Sequence, residues 1–181
     1  MSDTSESTSR KSFEDIVYLW WTRLHEETQL AGDTYPVRRK DAAELRRATT
    51  KEQVLLLPAY HNLRLLLLQE DIDVDRSKQT EQLISLAMIC PHIRHDDRES
   101  RSVGHAMGRI SESERPAVSE LRFLKLLRCE SHDALTTQLR RTIPLTGKKL
   151  PVKKLIYDVL HWDARIRQQW AETYYDCTVL S

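Results

Sequence analysis

The sequence predicts an all-α protein made of two small helical bundles joined by a short polar linker. Three observations lead there. Glycine and proline are scarce, 4 and 6 in 181 residues, while Leu, Arg, Glu, Ala and Gln are plentiful, so helix breakers are few and helix formers many. Apolar residues recur at steps of three and four along most of the chain. An entirely polar run, residues 94–101, separates two halves patterned in this way. The expected division is a disordered tail over 1–11, an N-terminal bundle over 12–93, the linker over 94–101, and a C-terminal bundle with a basic face over 102–181.

In chain order, residues 1–11 are rich in Ser, Thr and Glu and lack periodicity, which predicts disorder. Ser12, with Asp15 three residues on, reads as a helix cap. Phe13, Ile16, Val17, Trp20, Trp21 and Leu24 then predict a helix to about residue 28, with the two Trp as core filler. A turn over 32–36 leads to a short helix over 41–48, whose acids come early and whose Arg46-Arg47 pair comes late, as the helix dipole favours. Pro58 opens a helix that turns Leu63, Leu66 and Leu67 inward. The acidic run Glu70-Asp71-Ile72-Asp73-Val74-Asp75 lacks the Gly and distal Glu of a calcium loop and reads as a solvated connector. Residues 78–90 form another amphipathic helix, stopped by Pro91.

Beyond the linker, Ser102 caps a short helix in which Gly104 and Gly108 lie one turn apart and admit a neighbouring backbone. Pro116 opens the next helix, where Phe123, Leu124 and Leu127 share one side and Arg122, Lys125 and Arg128 step along the other. Ser131 caps a helix with Leu135, Leu139 and Ile143 inward and Arg140-Arg141 near its end. From Pro151 on, Leu155, Val159, Trp162, Ile166, Trp170 and Tyr174 keep helical spacing, which predicts one long C-terminal helix of more than six turns.

The net charge of +1 implies no partner by itself, but its distribution does. Residues 1–99 hold 14 Lys+Arg against 18 Asp+Glu, residues 101–154 hold 12 against 5. Cations stepping along one edge of an apolar helix can track a row of phosphates, and the guanidinium fork suits phosphate oxygens. An ordinary solvated basic edge is the plainer reading of the same spacing. Few aromatic residues stand among these cations, which argues against base stacking and for sequence-independent backbone binding.

Catalysis finds no site in the sequence. No nucleophile elbow, catalytic Cys signature or Gly-rich phosphate loop is present, and His161 and Asp163, two apart on a helix, do not face each other. Cys90, His92, His95 and the Cys129-x2-His132 pair have partial zinc spacing, but Pro91 interrupts the first group. Three widely spaced Cys form no disulfide framework and read as reduced core thiols, so neither a metal nor another cofactor is expected. A polar N-terminus without a signal-peptide pattern, and apolar runs too short to span a bilayer, predict a cytoplasmic protein without a membrane partner.

Several short motifs, taken in order, resemble the CasB family of small subunits of Cascade, the type I-E CRISPR surveillance complex. They are Glu44-Leu45-Arg46-Arg47-Ala48, Leu57-Pro58-Ala59-Tyr60, Ser102-Val103-Gly104 with Gly108-Arg109-Ile110, Arg122-Phe123-Leu124-Lys125-Leu126-Leu127-Arg128, Leu139-Arg140-Arg141, Leu160-His161-Trp162-Asp163, and Trp170-Ala171-Glu172-Thr173-Tyr174-Tyr175. The resemblance implies a non-catalytic subunit in antiviral defence, present in two copies head to tail beside the backbone and large subunits. It would hold the guide RNA–target DNA R-loop and the displaced DNA strand. The family's basic positions fall on Arg46 or Arg47, Arg122, Arg128, and Arg140 or Arg141. Lys125 joins them from the same stripe, Arg109 from the Gly-Arg motif, and Arg101 from charge alone. The alternative is a helical protein–protein adaptor whose Arg rows meet acidic partners. A zinc-dependent or acid–base enzyme ranks third.

Overall fold

The computed structural model describes residues 11–25, 39–74, 77–110 and 114–179. The tail over 1–10, the turn over 32–36 and the expected continuation of the first helix past residue 25 lie outside them. The architecture is all-α, with ten helices among the described residues. The first five are α1 (Phe13–His25), α2 (Arg39–Arg47), α3 (Lys51–Leu55), α4 (Pro58–Gln69) and α5 (Ser77–Ile89). After a 3-10 turn at Cys90–His92 and the strand β1 (His95–Asp96) come α6 (Val103–Gly108), α7 (Glu120–Leu127) and α8 (His132–Thr142). A second 3-10 turn, the strand β2 (Lys149–Leu150), α9 (Val152–Leu160) and α10 (Ala164–Val179) complete it.

The caps fall where the sequence places them. The Ser12 hydroxyl accepts from Asp15 N at 3.2 Å, Ser102 accepts from His105 N, and Ser131 from Ala134 N. Thr50 and Gln53 form a full capping box on α3. Trp20 and Trp21 fill the core, and their indole N–H groups donate to the carbonyls of Ala59 and Ile93 at 3.1 and 3.0 Å.

Two helices depart from the sequence reading. Pro116 does not open α7; it bridges to Ile110 in an antiparallel pair, and the chain reaches the helix only after Val118 N has bonded to Met107 O. Ser119 is the cap residue instead, and Leu126 joins Phe123 as the buried pair of α7, with Leu124 and Leu127 half-buried. The expected continuous C-terminal helix is split at residues 161–163. Asp163 Oδ1 accepts from Ile166 N at 2.9 Å and starts α10 afresh, while Trp162 turns its N–H to Cys129 O. The apolar spacing runs unbroken through this corner, so periodicity alone does not register it; α10 is still the longest helix among the described residues.

Helices from both sides of residues 94–101 pack together: α1 lies on α9 and α5 on α8, around one continuous cluster of buried side chains. Residues 94–101 are built into that packing. β1 pairs in parallel with β2, His95 opposite Lys149 and Asp96 opposite Leu150. Asp96 accepts from Tyr18 on α1 at 3.0 Å and from Val152 N on α9 at 3.0 Å. Asp97 and Ser100 are only 2% and 1% exposed. Asp96, Asp97 and Ser100 bond inward, while Arg94, His95, Arg98, Glu99 and Arg101 are exposed.

Candidate nucleic-acid interface

Arg46 and Arg47 end α2, and Arg140 and Arg141 end α8, where helix carbonyls lacking intrahelical partners favour cations. The fold brings these two ends together. Arg140 Nη2 donates to Arg46 O at 2.9 Å, Arg140 Nε donates to His92 Nε2 at 3.1 Å, and Arg46 Nη1 donates to Pro91 O at 3.2 Å. The first 3-10 turn, which carries Pro91 and His92, is thus the post to which both Arg ends are tied. Accepting at Nε2 leaves His92 a neutral imidazole with its proton on Nδ1. Arg47 and Arg141 remain exposed on either side.

Two more cations join from the strand pair. Arg94 N donates to Lys148 O at 2.8 Å, so the two residues are neighbours. Gly147 and Lys148 both take left-handed backbone angles, φ +65° and +61°, and turn the chain from the second 3-10 turn into β2. Within the described residues, none of Arg46, Arg47, Arg94, Arg140, Arg141 and Lys148 makes an ion pair with a carboxylate. The electrostatic consequence shows on the histidines. Burial, reinforced by Arg140, Arg46 and Lys148, pushes His92 down to about 4. Burial with Arg46 and Arg94 pushes His25 down to about 4 as well. Burial first, then Arg94 and Arg47, lowers Arg46 itself. A cluster of like charges without a carboxylate to balance it is a surface suited to a polyanion.

The stripe on α7 is present and open: Arg122, Lys125 and Arg128 are exposed and form no carboxylate pair among the described residues, with Phe123 stacked on Tyr174 at 3.9 Å to anchor the helix. The remaining two positions differ. Arg101 lies 3.5 Å from Asp176, and Arg109 Nη2 lies 2.6 Å from Asp97 Oδ2. Burial pushes the Asp97 carboxyl up, but the hydrogen bond from Ser100 and the charges of Arg109 and Lys149 outweigh it and hold it below the usual carboxylate range. Arg109 is therefore tied to a buried acid, a different situation from that of the cluster.

Sequence reasoning passed over Arg94, because Asp96, Asp97 and Glu99 follow it in the same polar run, and did not commit to Lys148. Only the β1–β2 pairing puts them beside Arg46 and Arg140, and no sequence signal carries that pairing. The zinc spacing leads elsewhere: His132 donates to Val159 O at 2.9 Å, Cys129 Sγ to Lys125 O, and Cys90 is a fully buried core thiol pushed up to about 12 by burial.

Fold and surface together define a helical scaffold with a concentrated cationic face. The model of the CRISPR-associated Cse2 family matches residues 41–175, and the chain belongs to that family, the one its motifs resemble under the name CasB. Comparison with curated proteins gave no match. Among solved structures, the fold is similar to a chain in the crystal structure of E. coli Cascade bound to a PAM-containing double-stranded DNA target. That similarity has a TM-score of 0.61 at 21% identity and covers 92% of this chain and 95% of that one.

Proposed function

We propose that the chain is the non-catalytic small subunit of a type I-E Cascade complex, clamping nucleic-acid backbone to steady the guide RNA–target DNA R-loop and the displaced strand. Its partners are then the guide RNA, the target DNA, the backbone and large subunits, and a second copy of itself, all in the cytoplasm. The observation that carries the reading is the cationic cluster of a Cse2-family chain: six Lys and Arg side chains from α2, α8 and the strand pair with no carboxylate balancing them among the described residues. Arg47, Arg141, Arg122, Lys125 and Arg128 are the side chains free to meet phosphate directly. Arg46 and Arg140 contribute charge while holding the cluster together, and Arg101 and Arg109 contribute least, since each already faces an acid.

Each exposed cation neutralises one phosphate and releases its counterions, so contributions are additive and salt-sensitive. The test is Arg122→Ala/Arg128→Ala in the reconstituted complex, with target binding measured across a salt series. The slope of log K against log salt should fall by about 1.5 to 2. An unchanged slope would remove α7 from the interface. The adaptor reading draws on the exposed leucines, Leu56 at 82% and Leu121 at 66%, which suit protein contacts. It predicts that the double variant leaves the salt slope alone and instead lowers recovery of the other subunits.

A further inference from the structure

A cavity of about 550 Å³ opens beside α9, lined among others by Arg101, Lys153, Lys154, Tyr157, Asp158 and Gln169. We infer that it seats a single unpaired nucleotide, with the base against Tyr157 and Asp158 and the phosphate on Lys154. The inference goes beyond the backbone clamp by adding a base-contacting subsite, and it rests on that reading for the strand that supplies the nucleotide.

Four features of the cavity converge on this ligand. Tyr157 is 41% exposed, and His161 stacks on one side of its ring at 4.2 Å, which leaves an aromatic surface facing outward. Asp158 is 6% exposed, yet only its Oδ2 is engaged, accepting from Trp170 Nε1 at 2.7 Å. Its Oδ1 makes no hydrogen bond among the described residues, and Asp158 is one of the residues that line the cavity. Lys154 Nζ donates to the carbonyls of Ser100 and Arg101 at 3.1 and 2.7 Å, which fixes the ammonium at the wall and leaves one of its three N–H bonds unspent. Lys153 stands one turn before Tyr157 and lines the wall through its stem, its ammonium held 2.8 Å from Asp15 and 5.2 Å from the centre of the Tyr18 ring, which leaves Lys154 as the cation for a phosphate.

A fixed carboxylate oxygen beside an aromatic ring accepts from an exocyclic amino group, which cytosine and adenine carry and thymine lacks. A phosphate on the base's far side meets the unspent N–H of Lys154. Arg101 stays with Asp176 and Gln169 supplies a neutral amide that can pair with a base edge. The arrangement therefore favours amino-bearing bases, within a protein whose other surface reads no base at all.

The test uses the purified full chain and dCMP, dTMP and inorganic phosphate as probes, followed by NMR. The Trp170 indole N–H donates to Asp158, so its resonance reports occupancy of the cavity without depending on the cationic cluster. Millimolar dCMP should move the Trp170 indole and Tyr157 ring signals, with dTMP binding at least about 3-fold more weakly and phosphate leaving the ring unmoved. Tyr157→Ala should weaken dCMP, and a single-stranded dC12 oligonucleotide, about 10-fold without changing the salt slope, while Tyr157→Phe stays within about 2-fold. No shift with dCMP, equal shifts with dCMP and phosphate, or dCMP binding indifferent to Tyr157→Ala would overturn the inference. Arg122→Ala/Arg128→Ala does not touch this cavity, so failure of the backbone clamp shows in the salt slope and failure of the nucleotide seat shows in the dCMP titration.

Discussion

Gly104→Ala probes the seam on which the C-terminal half closes. Gly104 sits in α6 with its missing side chain directed at α10. A methyl placed there falls inside contact distance of the Trp170 carbonyl oxygen, 2.6 Å from Thr173 Oγ1 and 2.8 Å from the Trp170 carbonyl carbon. Carbon atoms settle at ~3.5 Å, so the carbonyl carbon alone asks α10 to retreat by about 0.7 Å, and the closer oxygen asks for more. Tilting does not relieve the clash, because the backbones also approach closely one turn on, where a Cβ at Gly108 would lie 2.6 Å from Tyr174 O. Val103 and Met107 on one helix and Trp170 and Tyr174 on the other are buried and block a retreat. Overpacking of this kind costs ~1–3 kcal/mol, and a backbone carbonyl that cannot rotate away puts it at the upper end. The better helix propensity of Ala returns about 1 kcal/mol. The net loss is about 2 kcal/mol, which for a chain of this size lowers Tm by about 4–8 °C. Urea unfolding followed by tryptophan fluorescence measures it, with Trp170 reporting from the seam. Stability unchanged or increased would show that the two helices do not depend on glycine for their approach.

Further tests follow from single contacts. Asp163→Ala removes the cap that restarts α10 and should cost about 1 kcal/mol, read from the urea midpoint. Burial raises Asp158 to about 6 from the ordinary 3.8, so the folded state holds the proton more tightly than the unfolded chain does, and this group's contribution to stability falls as pH rises from about 4 to 6. Asp158→Asn should therefore gain on the parent protein over that range, by at most about 3 kcal/mol, when unfolding midpoints are compared at pH 4 and pH 7. Arg140→Ala strips the Arg46 carbonyl and His92 of their donor and should lower stability by about 1–3 kcal/mol, whereas Arg141→Ala, exposed beside it, should leave the urea midpoint within about 0.5 kcal/mol of the parent. In the native state Cys177, half-buried, should react first with a thiol reagent, ahead of the buried Cys90 and Cys129.

Local features were legible in the sequence because their physics is local. Caps at Ser12, Ser102 and Ser131 need only a hydroxyl and the next turn of backbone. The α7 stripe is visible because Arg122, Lys125 and Arg128 share an edge through the period of the helix alone. The corner at residues 161–163 was missed because Trp162 and Ile166 keep helical spacing across it; the Asp163 cap is its local signal, and the hydrogen bond from Trp162 to Cys129 that accompanies it is distant in sequence. Pro116 misled for a related reason: proline suits the first turn of a helix, but here a bridge to Ile110 claims it.

The sequence by itself determined that the protein is helical, that its positive charge gathers in the second half, and that its ordered motifs are those of the Cse2 family. Helical periodicity, capping and composition act over a few residues and survive in any arrangement of the helices. Only the tertiary structure decided which cations stand together. Arg46 and Arg140 are 94 residues apart and meet through one hydrogen bond at 2.9 Å, and Arg94 reaches them because a two-residue parallel strand pair sets it beside Lys148. Tyr157, likewise, was one more residue on an amphipathic helix until the fold set Arg101, Ser102 and Gln169 across from it to form a cavity. Charge is counted along a chain, but a binding surface is made by distances across space, and those are fixed by the packing of the core.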